Sequence, residues 1–376
     1  MRKFWAIFLS FIILTNIFIS KTEAVETPPP SVSAQSAVLI DLDSRAVLFE
    51  HNMRERLGMA STTKIMTALI AAEQAKLSAL VQIPDEAIGV EGSSIYLEHG
   101  EALTMEELLY ALLLQSANDA ATAIAIAISG SVEDFADMMN ERAEEMGLVD
   151  THFTNPHGLY DDAHYTTAYD LAIISAHALE NETIARICST YKVTLPITSE
   201  CQKRVLVNHN KLLKLYRGAV GVKTGFTKKT GRCLVSAATR DGLTLLAVTL
   251  NAPDDWHDHM SMLDFGFANF ESVTVARAGA FSYSLPVVGG ERESVALTNA
   301  KELRMTLPRE RGDVKYTVDT LHRFEFAPIF KGAELGHVYC SYDNKFFAES
   351  ELVCAKDLQK SSDKRSWFSK IIGIFT

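Results

Sequence analysis

Two blocks of strand-forming sequence stand far apart in this chain, and the need to unite them in one sheet constrains the fold more than any other feature. Ala37 to Leu42 and Ala46 to Glu50 read as two strands around Asp43-Ser44-Arg45, a β-hairpin. Gly218 to Thr224, Arg232 to Thr239 and Leu243 to Leu250 read as three more, the last two joined by Asp241-Gly242, a pair suited to a hairpin turn. Between the blocks the apolar spacing is helical. Ile65, Met66, Leu69 and Ile70 recur on one face from Thr62 to about Lys76, and a longer helical region runs from Thr104 to Ile128, interrupted near Ser116. The expected architecture is an antiparallel sheet supplied by both ends of a domain, with helices inserted between. Beyond about Ser272 short alternating runs return, Tyr283 to Val288 and Val314 to Val318 among them, broken at Gly289-Gly290 and Arg311-Gly312-Asp313, and these predict a small all-β domain.

A length of 376 residues suits two such domains, and 47% apolar with 22% charged residues allows each a real core. The formal charge of −11 argues against a nucleic-acid partner. The ends of the chain point to a membrane. Residues 1–24 carry Arg2 and Lys3, a mostly apolar run from Phe4 to Ile19 and small residues at Thr22-Glu23-Ala24, the pattern of an export signal, for which cleavage is favoured over an uncleaved anchor. Pro28-Pro29-Pro30 marks a stiff linker over residues 25–35. In residues 361–376, Trp367, Phe368, Ile371, Ile372, Ile374 and Phe375 fall within an arc of about 160° on a helix. That segment is too short to span a bilayer but fits an amphipathic helix lying in the interface, with Lys364, Arg365 and Lys370 near lipid phosphates. The expected location is outside the cytoplasm, on the outer face of the cytoplasmic membrane. The five cysteines, Cys188, Cys201, Cys233, Cys340 and Cys354, show no C-x-x-C spacing, and separately buried thiols are preferred to a Cys340–Cys354 bridge.

Ser61-Thr62-Thr63-Lys64 sets a hydroxyl and an amine one helical turn apart on one face. A serine hydroxyl becomes a nucleophile only when a base takes its proton, and lysine serves as that base when burial and nearby positive charge lower its pKa. Met59, Ile65 and Met66 supply apolar surroundings, and the helix N-terminus favours the developing anion. The pattern is cheap, recurring at Ser189 to Lys192 and Ser361 to Lys364. The first copy is followed in order by Ser116-Ala117-Asn118, where a polar pair breaks an apolar helical run, and by Lys223-Thr224-Gly225. Ser116 also suits an N-cap for the helix after it. Lys-Thr-Gly recurs at residues 229–231, but the copy at 223–225 ends an alternating strand and is taken as the functional one. At a strand edge Gly225 lets a peptide backbone approach and pair as an added strand, while Thr224 and Lys223 meet a free carboxylate by hydrogen bond and charge.

This ordered set resembles the low-molecular-weight penicillin-binding proteins, the serine-type D-alanyl-D-alanine carboxypeptidases. The resemblance extends to Asn155-Pro156-His157-Gly158-Leu159, His164, Tyr169-Asp170-Leu171, Trp256-His257-Asp258-His259 and Leu263-Asp264-Phe265-Gly266-Phe267, and so covers nearly the whole chain from Ser36 onward. It implies a transpeptidase-like α/β (α+β) catalytic domain over residues 36–270 and a small β-sandwich over 271–360. It implies Ser61 as acyl-ester nucleophile, Lys64 as proton acceptor, Ser116 as proton relay, Asn118 as substrate amide contact and Lys223 as substrate-binding cation. The backbone N–H groups of Ser61 and Phe226 would form the oxyanion hole. The implied substrate is a peptidoglycan stem peptide ending in D-Ala-D-Ala, with β-lactams acylating the same serine. Some relatives hold the substrate carboxylate with an arginine ahead of the Leu-x-x-Gly-Phe segment. Here Trp256-His257-Asp258-His259 stands there, which leaves Lys223, Thr224 and Arg232 as candidates.

Three rival readings are weaker. A metal hydrolase built on His257, Asp258 and His259, or on His157 and His164, lacks an H-E-x-x-H or comparable ligand set, so no metal or cofactor is called for. A class A-like β-lactamase would need an E-x-x-L-N loop, and no such string occurs. A catalytically weak penicillin-binding sensor or scaffold differs from an enzyme only in turnover.

Overall fold

The computed structural model describes residues 27–195 and 203–362. The export signal over residues 1–24, Cys201 and residues 363–376 of the amphipathic segment lie outside the described residues.

The hairpin forms as β1 (Ser36–Asp41) and β2 (Val47–His51). The intervening chain then supplies α1 (Lys64–Gln74), a small ribbon of β3 (Leu80–Gln82) with β4 (Ala102–Thr104), and five helices. These are α2 (Met105–Leu114), α3 (Asn118–Ser129), α4 (Val132–Glu145), α5 (Ala168–Glu180) and α6 (Glu182–Ser189). Several of these boundaries have a chemical cause. A capping box between Thr104 and Glu107 starts α2, the Ser131 and Thr167 hydroxyls accept the N–H groups of Asp134 and Asp170, and Gly130 ends α3 at φ 91°. A second ribbon, β5 (Lys192–Leu195) and β6 (Arg204–Val207), and the short helix α7 (Leu212–Leu215) lead back to the sheet.

The sheet closes with β7 (Ala219–Thr227), β8 (Gly231–Arg240) and β9 (Leu243–Leu250), in the order β2-β1-β9-β8-β7 with every pair antiparallel. β1 pairs with β9, so the hairpin of the first block enters the sheet through the last strand of the second. Strand pleating splits β1 between two cores. Val38 and Ile40 face the inserted helices with Ile65, Leu69, Leu108 and Leu171, whereas Leu39 faces Met262 and Leu263 of α8 (Asp255–Asn269). Burial on both faces explains why β1 is apolar without a clean alternation. The segment read as a linker is docked over its described part: Asp258 accepts hydrogen bonds from the N–H and hydroxyl of Ser33 and from the N–H of Ala34, at 2.8–3.0 Å.

The chain passes from α8 directly into β10 (Phe270–Ala276). The β domain adds β11 (Tyr283–Val288), β12 (Ser294–Asn299), β13 (Leu303–Pro308), β14 (Lys315–Thr320), β15 (Glu325–Phe326), β16 (Glu334–Tyr342) and β17 (Phe346–Cys354). A six-stranded sheet, β14-β16-β17-β12-β11-β15, is covered at β17 by the β10-β13 ribbon, around a core that includes Leu297, Met305, Val338 and Leu352. That core is continuous with the α8 side of the first sheet. Cys188, Cys233, Cys340 and Cys354 are separate, buried free thiols.

Candidate active site

The site is assembled where the turn before α1 meets the edge of the sheet. Ala60–Thr63 forms a 3₁₀ turn, entered through Ala60 in the left-handed region at φ 47°. The Thr62 and Thr63 hydroxyls donate back to the carbonyls of Met59 and Ala60 at 2.6 and 2.7 Å and lock the turn. Gly158 presses on it from outside, since a Cβ there would lie 1.9 Å from the Ala60 carbonyl oxygen. An unusual backbone conformation is thus over-determined next to Ser61, as at many reactive positions.

Lys64 is fully buried and its Nζ has three neighbours: Ser61 Oγ at 3.1 Å, Asn118 Oδ1 at 2.6 Å and the His157 carbonyl at 2.6 Å. Burial first and the charge of Lys223 second hold its pKa well below the ordinary lysine value, while Asp119 acts in the opposite direction. A neutral amine has two N–H bonds and one lone pair. Two of the neighbours are oxygens that only accept, so in the neutral form both N–H bonds would go to them and the lone pair would be left for the Ser61 hydroxyl proton.

Asn118, the first residue of α3, donates Nδ2 to the Glu91 carbonyl at 2.5 Å, and its backbone N–H bonds to the Ser93 carbonyl at 2.7 Å. Asp119 gathers the same loop by accepting from the Ser94 hydroxyl and the N–H groups of Ile95 and Leu97. Ser116 lies between α2 and α3 at φ 60° and is buried at the cleft wall. It does not cap α3: the N-cap position is Ala117, with no side-chain bond, because the left-handed backbone at Ser116 turns that residue out of the helix start and into the cleft.

β7 is the outer strand of the sheet, and at Gly225 it closely approaches Ser61. It runs through the Lys-Thr-Gly segment to Thr227 instead of ending at Thr224, because the turn beyond is fixed by the Thr227 and Thr230 hydroxyls, 2.7 Å apart. A Cβ at Gly225 would lie 3.0 Å from the Ser61 nitrogen and 3.1 Å from the Met59 oxygen, so glycine permits this approach. Thr224, Gly225 and Phe226 line one cleft with Ser61 and Ser116, and Phe226 is 63% exposed. Lys223 is buried behind that wall, donates to the Thr224 carbonyl at 2.8 Å, and has its pKa brought down to about 7 by burial.

The cleft contains groups that motif reasoning had not singled out: Ser93, His209, Lys211 and Asp255. Asp255 accepts Arg232 Nε at 3.0 Å and fixes that guanidinium beside Thr224 and Trp256. Two of the histidines weighed as metal ligands are structural. His164 bonds to Thr63 Oγ1 at 2.7 Å and to the Thr154 N–H at 3.0 Å, and buried His259 lies between Ser236 and Thr249. Burial lowers the pKa of His164 to about 4 and that of His259 to about 3, so both are neutral near pH 7.

Residues 22–254 match the family model described as D-alanyl-D-alanine carboxypeptidase, and residues 270–360 match the C-terminal domain of penicillin-binding protein 5. The chain is 35% identical over 352 residues to D-alanyl-D-alanine carboxypeptidase DacF of Bacillus subtilis, covering 91% of this chain and 90% of the relative. It is 31% identical over 367 residues to the carboxypeptidase DacA of Haemophilus influenzae, covering 93% and 92%. Among solved structures, penicillin-binding protein 5 from Haemophilus influenzae superposes with a TM-score of 0.75 at 30% identity, over 89% of this chain and 100% of that one.

Proposed function

The chain belongs to the D-alanyl-D-alanine carboxypeptidase family and is a serine-type hydrolase of peptidoglycan metabolism, and from that premise we propose how its residues share the reaction. Ser61 Oγ attacks the carbonyl carbon of the penultimate D-alanine while its proton passes to the lone pair of Lys64 Nζ. The tetrahedral oxyanion is met by the backbone N–H groups of Ser61 and Phe226. Ser116, on the same cleft wall, relays the proton to the departing nitrogen; the C–N bond breaks and terminal D-alanine leaves. Water then cleaves the Ser61 ester and restores the hydroxyl. The stem peptide lies along the free edge of β7 with its carboxylate against Thr224 and the Asp255-held guanidinium of Arg232. Lys223 adds positive field from behind the wall. Asn118 positions Lys64, and its remaining amide hydrogen contacts substrate. A β-lactam takes the same path through Ser61.

The observation that carries this reading is the contact set of Lys64: two acceptor-only oxygens at 2.6 Å and the Ser61 hydroxyl at 3.1 Å. The test is release of free D-alanine from a peptide ending in D-Ala-D-Ala by the purified protein. Penicillin acylation without peptide turnover would identify a sensor, and rapid β-lactam hydrolysis without peptide turnover a β-lactamase.

The same proposal places the enzyme outside the cytoplasm, exported by residues 1–24 and held on the outer face of the cytoplasmic membrane by the apolar arc of residues 367–375. Among the described residues no helix is long and apolar enough to cross a membrane.

A further inference from the structure

The β domain ends in an apolar tip that its own core does not use. Leu321, Phe326 and Phe330 are 58%, 61% and 62% exposed, on a stretch that also buries Ala327 and Ile329. Alternation along this stretch sends one set of side chains inward and the other out to solvent. The tip is also where the described chain leaves the domain. Ile329 and Leu358 exchange backbone hydrogen bonds at 2.9 and 2.8 Å, Lys331 N–H bonds to Asp357, and Ser361 N–H bonds to the Gly289 carbonyl at 2.9 Å. Gly289 follows β11, the strand beside Phe326. Arg323, Lys331 and Lys360 are exposed around the tip and have no ion-pair partner among the described residues, whereas Glu325 is engaged by His322 at 2.6 Å.

We propose that this tip is a second membrane contact, with Leu321, Phe326 and Phe330 entering the interfacial layer of an anionic phospholipid bilayer and Arg323, Lys331 and Lys360 meeting its phosphates. The proposal rests on the membrane location argued above and deepens it. Its occupant follows from the length of chain beyond the tip. Trp367, where the apolar arc begins, is five residues past Ser362, a span of at most about 18 Å when fully extended. A C-terminal segment seated in the interface therefore tethers the tip within that distance of the bilayer, where exposed aromatics and cations are the chemistry that binds. Two contacts of this kind also fix the domain's orientation, which one short tethered segment does not.

The experiment compares full-length chains, purified in detergent and exchanged onto vesicles of phosphatidylcholine with and without phosphatidylglycerol, at low and high salt. Phe326→Ser with Phe330→Ser is expected to weaken partitioning by about tenfold or more on both vesicles at either salt. Phe326→Leu with Phe330→Leu, which keeps the apolar area, should partition as the parent does. Arg323→Glu with Lys331→Glu should remove most of the gain from phosphatidylglycerol and its salt sensitivity. Every variant should keep parent turnover on a soluble D-Ala-D-Ala peptide, since none of the substituted residues lines the cleft. Parent-like partitioning of the double serine variant overturns the proposal. So does an effect of that variant on self-association alone, which would make a second copy the occupant. A parallel chain with Trp367→Ser and Phe368→Ser separates the two readings. Loss there without loss at the tip keeps the terminal anchor and overturns the tip contact; loss at the tip without loss there supports the tip and removes the anchor it was argued from.

Discussion

Lys64 and Lys223 are both fully buried, and the charge on Lys223 is the largest cause after burial of the lowered pKa of Lys64. On the proposed mechanism the reacting base is the deprotonated Lys64 amine, so acylation should fall as pH drops through the Lys64 pKa. Lys223→Met removes a positive neighbour, Lys64 holds its proton more tightly, and the acid limb should move to higher pH. Asp119→Asn removes the negative neighbour that raises this pKa, and the limb should move to lower pH. The measurement is the second-order rate of penicillin acylation against pH in each variant. A limb that stays fixed in both would assign the proton to another group.

Penicillin should label one serine, Ser61, as read by intact mass and peptide mapping. Ser61→Ala should show no adduct. Lys64→Arg should acylate at least about 10²-fold more slowly, because guanidinium keeps its proton at any working pH. An adduct on Ser189 or Ser361, or parent-like acylation by the arginine variant, contradicts the assignment.

Gly225→Ala and Gly158→Ala should fail in different ways. At Gly225 the added methyl meets the Ser61 nitrogen at 3.0 Å, which shifts the Ser61 turn relative to β7 and should cut acylation more than about tenfold with thermal stability close to parent. At Gly158, with φ 86° and the Ala60 carbonyl at 1.9 Å, strain and overlap together should destabilise the fold by roughly 2–4 kcal/mol. Thermal denaturation and acylation rates, measured on both, separate the two effects.

Stability should rise with pH above neutrality. Burial brings the Lys223 pKa down from 10.5 to about 7, so between those values the unfolded chain binds more protons than the native one and raising the pH favours folding. Cys188 and Cys233 act in the opposite sense: burial raises their pKa from 9.0 to about 12, the native state keeps protons that the unfolded chain loses, and stability falls above about pH 9. Denaturant midpoints should therefore increase from pH 7 toward 9 and then level or decline. Buried Lys64, with its pKa also well below the ordinary lysine value, contributes in the same sense, so Lys223→Met should reduce the rise without abolishing it, and an unchanged slope in that variant would place its origin elsewhere.

Deleting residues 363–376 should weaken membrane association strongly and leave turnover on a soluble peptide unchanged, since no proposed catalytic side chain lies there. Membrane pelleting after a high-salt wash checks the first part, because apolar attachment survives screening and ionic attachment does not. Loss of turnover would mean that the segment belongs to the folded body.

The sheet was legible because its strands are bounded by strong turn chemistry, as at Asp43-Ser44-Arg45 and Asp241-Gly242. Ser61 and Lys64 were legible because their contact is local, and the other motifs because their order is distinctive. What stayed hidden was non-local. His157 acts on Lys64 through its backbone carbonyl, which no side-chain identity encodes. Asp119 matters because a loop some 25 residues upstream folds onto it, and Arg232 is aimed by Asp255, on another element. The two ribbons were missed because strands of three or four residues are too short for a period of two to register. The extension of β7 past Thr224 depended on a hydroxyl pair that carries no Gly or Pro signal.

The pairing of β1 with β9 has a kinetic meaning. Ala37 lies opposite Thr249 and Leu39 opposite Ala247, so the central strands cannot join until the chain has been delivered as far as residue 250. Ser61 emerges early, but the β7 edge that completes its cleft comes some 160 residues later. Such distant pairing makes assembly slow compared with a protein built from local contacts, and it exposes the apolar β1 and β9 in the meantime. The acylating site is therefore a late product of folding. A chain caught partway carries Ser61 and Lys64 without the wall that completes their cleft.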